Sequence, residues 1–144
     1  MRPMLLPRPE PVSYGYTRTL AGASFEEAVE RTTSALKAEG FGVLTTIDVK
    51  DTLKKKLGED FRKYVILGAC NPKLAHQALL TELSVGLLLP CNVCVYEGED
   101  HQPVIQAINP RAMFEIVKRP DLEPIVAEAE QRLRRAFDAI AREP

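Results

Sequence analysis

The chain has 144 residues and a mass of 16.0 kDa, about one ordinary domain. Folding at this mass removes about two-thirds of the chain's surface from water, enough for a hydrophobic core. A composition of 45% hydrophobic and 27% charged residues excludes a disordered chain, a net charge of −1 excludes a broad phosphate-binding surface, and 3 Cys with 2 His exclude disulfide scaffolds and multi-zinc folds.

The start, MRPMLLPRPEPVSYGY, is broken by Pro3, Pro7, Pro9 and Pro11. It is too short in apolar residues for a signal peptide, and residues 1–12 read as an extended arm before one domain over 13–144. No stretch approaches the roughly 20 apolar residues of a membrane span. An odd number of cysteines without an export signal points to the reducing cytoplasm.

Tyr14 to Leu20 is rich in Tyr and Thr and reads as a strand. Ser24-Phe25-Glu26-Glu27 is a capping box that opens a helix burying Phe25, Ala28, Val29, Thr32 and Leu36, and Gly40 is its left-handed stop. Phe41 to Val49 is a second strand, and Lys50 to Leu57 a short basic helix closed by Gly58. Six basic and three acidic side chains lie between Lys50 and Lys63. A charge run such as Lys54-Lys55-Lys56 is most often a solvated face, and no aromatic-rich basic strand argues for RNA.

Tyr64 to Ala69 is an apolar, β-branched strand. Asn71-Pro72 is the strongest helix start in the chain, because Asn caps well and Pro suits the first turn, where its missing N–H is no loss. That helix is expected to run to Leu83 and to bury Leu74, Ala75, Ala78, Leu79 and Leu83. Leu87 to Tyr96 reads as one long strand bent at Pro90. Glu97 to Asp100 is a turn, Pro103 to Ile108 a return strand, and Asn109-Pro110 starts a short helix through Val117. The last helix, from Asp121, carries the clearest 3.6-residue stripe, with Leu122, Ile125, Val126, Ala129, Leu133, Ala136, Phe137 and Ile140. The order is roughly β-α-β-α-β-α-β-β-α. It predicts an α+β fold, a mostly antiparallel sheet with helices packed on one face.

Two segments, LGACNPKLAHQAL (Leu67 to Leu79) and GLLLPCNVCVYE (Gly86 to Glu97), together with GFGVLTTIDVKDTLKKKLGEDFRKYVILGACNP, resemble the domain of unknown function 302 family. The resemblance runs from about Ser24 to Ile140. Cys70, Asn71, Pro72, Leu74 and Ala75 match its first motif, and Pro90, Cys91, Asn92 and Val93 its second; Cys94 is not a motif position. What the resemblance implies is a small α+β domain, often a homodimer, without an established activity or cofactor. Leu87-Leu88-Leu89 offers apolar surface for such a dimer if its strand lies near a sheet edge.

The chemically interesting corner is formed by these motifs. Cys70 precedes the Asn71 cap, and a thiol at a helix N-terminus has its thiolate favoured by the helix dipole and free N–H groups. Lys73 adds positive charge, and His76 follows three residues later on the same helical face. In an extended strand Cys91, Val93 and Val95 share one face while Asn92, Cys94 and Tyr96 share the other, so unless Pro90 makes a bulge the C-x-x-C of Cys91 and Cys94 is a weak redox or zinc signal. Cys70, Cys91 and His76 would supply three ligands at an open zinc site, but no spacing demands it, and no metal is assigned. The two motifs are expected to be spatial neighbours without a disulfide. Asn71 and Asn92 are expected to fix the backbone through their side chains.

The candidate ligand-binding residues are therefore Cys70, Asn71, Lys73, His76, Cys91 and Asn92, with no catalytic residue assigned. The leading function is a small-ligand-binding or sensing domain at the Cys70–Pro72 and Pro90–Asn92 corner. The alternatives are a thiol-dependent enzyme or redox protein using Cys70 or Cys91, and a structural dimer module without a ligand. Neither nucleic acid nor membrane is expected as a partner.

Overall fold

The computed structural model describes residues 12–142; the proline-rich arm expected over residues 1–12 lies outside the described residues except for Val12. Five strands form one sheet: β1 Gly15–Thr19, β2 Gly42–Asp48, β3 Tyr64–Cys70, β4 Cys91–Glu97 and β5 Pro103–Ile108. Their order is β1-β5-β4-β3-β2, and every neighbouring pair is antiparallel. Five helices accompany them: α1 Phe25–Ala38, α2 Val49–Leu57, α3 Pro72–Thr81, α4 Pro110–Val117 and α5 Glu123–Arg142. The fold is α+β, with the element order that the hydrophobic patterns predict. None of the helices among the described residues is long and apolar enough to cross a membrane.

The local signals act as expected. Ser24 accepts from the Glu27 N–H at 3.0 Å while Glu27 reaches back to the Ser24 N–H at 3.3 Å, closing the capping box. Gly40 (φ 86°) and Gly58 (φ 69°) take the left-handed conformation that ends α1 and α2. Gly40 has a second reason to lack a side chain: a Cβ there would lie 2.9 Å from the Asn71 amide nitrogen. The basic run on α2 is largely neutralised locally, with Lys54 paired to Asp60 at 3.0 Å and Lys55 to Asp51 at 2.9 Å. Such exposed pairs stabilise weakly and leave no concentrated positive patch.

The core lies between the sheet and α1 and α5. It joins Leu67 and Ala69 of β3, Val93 and Val95 of β4, and Ile105 and Ala107 of β5 to Ala28 and Leu36 of α1 and Leu133, Phe137 and Ile140 of α5. Period-2 alternation puts all six strand residues on one face, and the 3.6 period lines up the helical ones. Tyr16 of β1 adds a tilted ring contact with Phe137 at 5.9 Å.

Two expectations are corrected. The helix after Asn71 ends at Thr81 because Glu82 turns to extended dihedrals (φ −149°, ψ 111°), and Leu83 is 82% exposed instead of buried. The long strand from Leu87 does not exist either. Leu83–Leu88 form a 3-10 turn, the chain crosses Pro90 through a cis peptide, and β4 begins only at Cys91. The sheet edges are β1 and β2, so Leu87-Leu88-Leu89 lies on no edge strand, although Leu87 itself is exposed.

Thr32 is fully buried on the core side of α1, and among the described residues its hydroxyl has no hydrogen-bond partner. An unsatisfied buried hydroxyl destabilises, whereas an apolar group of the same shape does not. Thr32→Val should therefore raise the unfolding free energy by about 1 kcal/mol in denaturant titration; a loss of stability would show that the hydroxyl is satisfied.

Candidate functional site

The register of β3 on β4 builds the site. Ala69 stands opposite Cys91 and Gly68 opposite Asn92, so the two Cys-Asn motifs meet at one end of the sheet. Pro90 packs over Gly68. A Cβ at Gly68 would lie 2.9 Å from Pro90 Cγ and would also strike the Thr45 hydroxyl. A proline ring cannot rotate away, so the first motif's glycine makes room for the second motif's proline.

Beyond Cys70 the chain turns into α3. Asn71 is extended (φ −96°, ψ 104°), its Oδ1 accepts the Leu74 N–H at 3.2 Å, and Pro72 occupies the first helical position. The same Asn-Pro device recurs at Asn109-Pro110, where Asn109 Oδ1 accepts the Arg111 N–H at 2.9 Å and starts α4. Each cap satisfies an N–H that the helix itself cannot.

Between these starts lies a cavity of about 100 Å³. Ala69, Cys70 and Cys91 form its sheet end, and Leu74, Ala75 and Ala78 its α3 wall. Met113, Phe114 and Val117 of α4 face Ile125, Val126 and Ala129 of α5, while Val85, Leu88 and Leu89 close it from the connection between α3 and β4. No lining residue is charged. Asn71 borders the cavity, with its carbonyl oxygen committed to the cap. Alanines at 75, 78 and 129 leave space that a larger side chain would fill.

Of the six candidates, the structure brings Cys70, Asn71 and Cys91 to this cavity. Lys73 and His76 are exposed on α3 and do not line it. Asn92 is exposed on the opposite sheet face, and among the described residues its side chain makes no hydrogen bond, so the expected lock at Asn92 is not made. No group of three or more His, Cys, Asp or Glu among the described residues could hold a metal, which leaves the Cys70–His76–Cys91 zinc set without geometry.

All three cysteines are free. The pleat sends Cys91 to the face of Val93 and Val95, and Cys70 to the face of Gly68 and Ile66. The thiols are near enough that charge on one disfavours charge on the other, but they leave the sheet in opposite directions, which a disulfide does not tolerate. The helix N-terminus does not make Cys70 acidic: burial pushes its thiol up, and the cap N–H of Leu74 is held by Asn71. Burial also pushes Cys91 up, to about 11, with the nearby Cys70 adding to the effect. Cys94, on the other face, interacts with Tyr64, whose ring stacks on Tyr96 at 5.2 Å. The cavity wall is therefore neutral at pH 7.

The model of the family described as Domain of unknown function DUF302 matches residues 16–140. The chain belongs to the DUF302 family. A crystal structure of an uncharacterized conserved protein DUF302 from Bacillus stearothermophilus is similar to this chain, with a TM-score of 0.81 and 35% sequence identity. The match covers 90% of this chain and 99% of that one. No curated protein matches the chain. The resemblance carried by the two motifs is thus upheld, and the family supplies no reaction.

In this DUF302 protein, reasoning on the sequence missed the α4 and α5 side of the cavity. Ile125, Val126 and Ala129 were legible as part of an apolar stripe, but a stripe does not say whether it meets side chains or space. Met113, Phe114 and Val117 carried the same signal on α4.

Two measurements test this description. Asn71→Ala should cost about 1 kcal/mol of stability by removing the α3 cap; an unchanged denaturation midpoint would show that the cap contributes nothing. The raised Cys91 thiol also sets a pH dependence. The unfolded chain loses that proton near pH 9 and the folded chain near 11, so stability is full below pH 9 and declines as pH rises toward 11. The decline amounts to about 2–3 kcal/mol. It should be smaller by that amount in Cys91→Ala when the two unfolding curves are compared between pH 8 and 11, the remainder coming from Cys70 and Cys94, whose thiols burial also pushes up.

Proposed function

We propose that this protein is a small-ligand-binding domain whose site is the apolar cavity between the two motifs, and that the bound group is uncharged. The observation that carries this reading is the void itself. Protein interiors are close-packed, and unfilled space in a core lowers stability by about 24 cal/mol per Å³. Here the space of about 100 Å³ is partly open to solvent and its wall is almost wholly apolar, so apolar surface stays in contact with water unless a ligand covers it. Larger residues at Ala75, Ala78 or Ala129 would remove the defect.

The wall selects for chemistry. Its thiols are protonated at neutral pH and it has no charged lining residue, so an ion inside would lose its hydration without compensation. An apolar cavity of about 150 Å³ engineered into another protein takes up benzene or xenon. This one is of that order and suits a small ring or the short alkyl end of a larger molecule, with any polar part remaining outside. The same facts weigh against a thiol enzyme, since a catalytic thiol must be available as thiolate.

One observation favours the runner-up, a structural module. Gly68, Asn71 and Pro90 each have a packing or capping task that accounts for them without a ligand. Titration with xenon and benzene separates the two readings. Binding is expected to shift methyl resonances of Leu74, Val117 and Val126 and to raise the melting temperature, and Ala129→Leu should abolish both effects while remaining folded. If neither probe binds to the wild-type protein, the cavity is a packing defect and the structural module stands.

A further inference from the structure

The cavity is partly open to solvent, Leu83–Leu89 forms one of its sides, and this segment differs from every other part of the wall. Its backbone hydrogen bonds are local: the Val85 N–H donates to Glu82 at 3.2 Å and the Leu89 N–H to Gly86 at 3.3 Å. None of the described backbone bonds joins it to the sheet, α4 or α5. It is a 3-10 turn of six residues, longer than such turns usually run, and no side chain caps its start.

The segment's two sides are unlike. Val85 is buried, and Leu88 and Leu89 line the cavity, whereas Leu83 and Leu87 are 82% and 88% exposed. The side-chain tie next to it is the ion pair of Glu82 with Arg119 at 3.5 Å, both partly exposed. A pair of that kind holds weakly, and Arg119 also bonds Asp121 at 2.8 Å. Lifting the segment therefore uncovers three apolar side chains, Val85, Leu88 and Leu89, and breaks one weak ion pair, but no ladder hydrogen bond. The remaining walls are strands within the sheet and helices packed on α5, which open only with the fold.

We infer that Leu83–Leu89 is a lid whose local opening widens the mouth of the cavity enough to admit the ligand, with the Glu82–Arg119 pair as its latch. The inference rests on the ligand-binding reading for what is admitted, but not for the opening itself. The lid moves as a strap between the end of α3 and the start of β4. Its inner residues, Val85, Leu88 and Leu89, complete the cavity when it is shut.

The protein carries its own reporter. Cys91 is buried on the sheet wall of the same cavity, immediately beyond the lid. In the Cys70→Ser/Cys94→Ser variant it is the sole thiol of the chain. Alkylation with iodoacetamide at pH 8, followed by mass spectrometry, reads how often the cavity is exposed. The expected rate is at least tenfold faster than global unfolding permits, as measured on the same variant by denaturant kinetics. Arg119→Gln should increase it at least twofold, while Lys73→Gln, off the latch, should not.

Benzene separates this proposal from the one beneath it. If benzene slows alkylation of Cys91, both lid and ligand site stand. If alkylation is fast and rises with Arg119→Gln but is indifferent to saturating benzene, the lid stands and the ligand reading fails; fast alkylation that Arg119→Gln leaves unchanged overturns the lid. Alkylation no faster than global unfolding, with and without the latch, would overturn the lid. Amide exchange at Val85 and Leu89 gives a second readout free of cysteine chemistry: both should exchange faster than Val93 and Val95 of β4, and equal protection would also overturn the proposal.

Discussion

The placement of Ala69 opposite Cys91 is the constraint on which the rest of the site depends. Side chains alternate along a strand, so a slip of one residue would send Val93 and Val95 to the wrong face and Asn92 into the core. The register is held from both faces. On one, Leu67, Ala69, Val93 and Val95 are buried under α1 and α5. On the other, Gly68 receives the ring of Pro90 beside Thr45, a fit that no residue with a Cβ permits. Once the register is set, Cys70 ends β3 where β4 begins, and the cap at Asn71 launches α3 from that corner. Asn71, Pro72 and Pro90 are thus first of all instruments of chain direction.

The helices around the cavity are tied at their ends, away from the cavity itself. Arg111 of α4 pairs with Glu123 and Glu130 of α5, and Arg132 and Arg135 of α5 reach Glu39 at the end of α1. These partly exposed links contribute little energy individually but hold the helix axes in position. With the axes held, small residues at Ala75, Ala78 and Ala129 leave space that collapse does not remove, since a core relaxes only partially around missing volume. Rigid walls on three sides and a locally bonded strap on the fourth form an arrangement suited to exchange of a small molecule with solvent.

Electrostatics reinforces this division. Charges gather on the outside, in pairs such as Lys63 with Glu26 and Lys54 with Asp60. The cavity contains thiols, methyl groups and rings. Desolvation, the same effect that lifts Cys91, makes this wall unfavourable for an ion.

Much of this was legible in the residues alone. The capping box at Ser24, the stops at Gly40 and Gly58, and the starts at Asn71-Pro72 and Asn109-Pro110 depend on hydrogen bonds closed within a few residues, so local sequence determines them. The alternation of Cys91, Val93 and Val95 against Asn92, Cys94 and Tyr96 likewise needs only the pleat. The run from Leu83 to Leu89 misled because an apolar stretch of that length fits a strand, a helix end or an irregular strap, and contacts with α3 decide among them. Which candidates reach one cavity, namely Cys70, Asn71 and Cys91 but not Lys73, His76 or Asn92, followed from register and helix phase together. Only the tertiary structure decided that a cavity exists, because empty space is the difference between the volume that helix axes enclose and the volume that side chains fill, and no single segment of the chain contains both quantities.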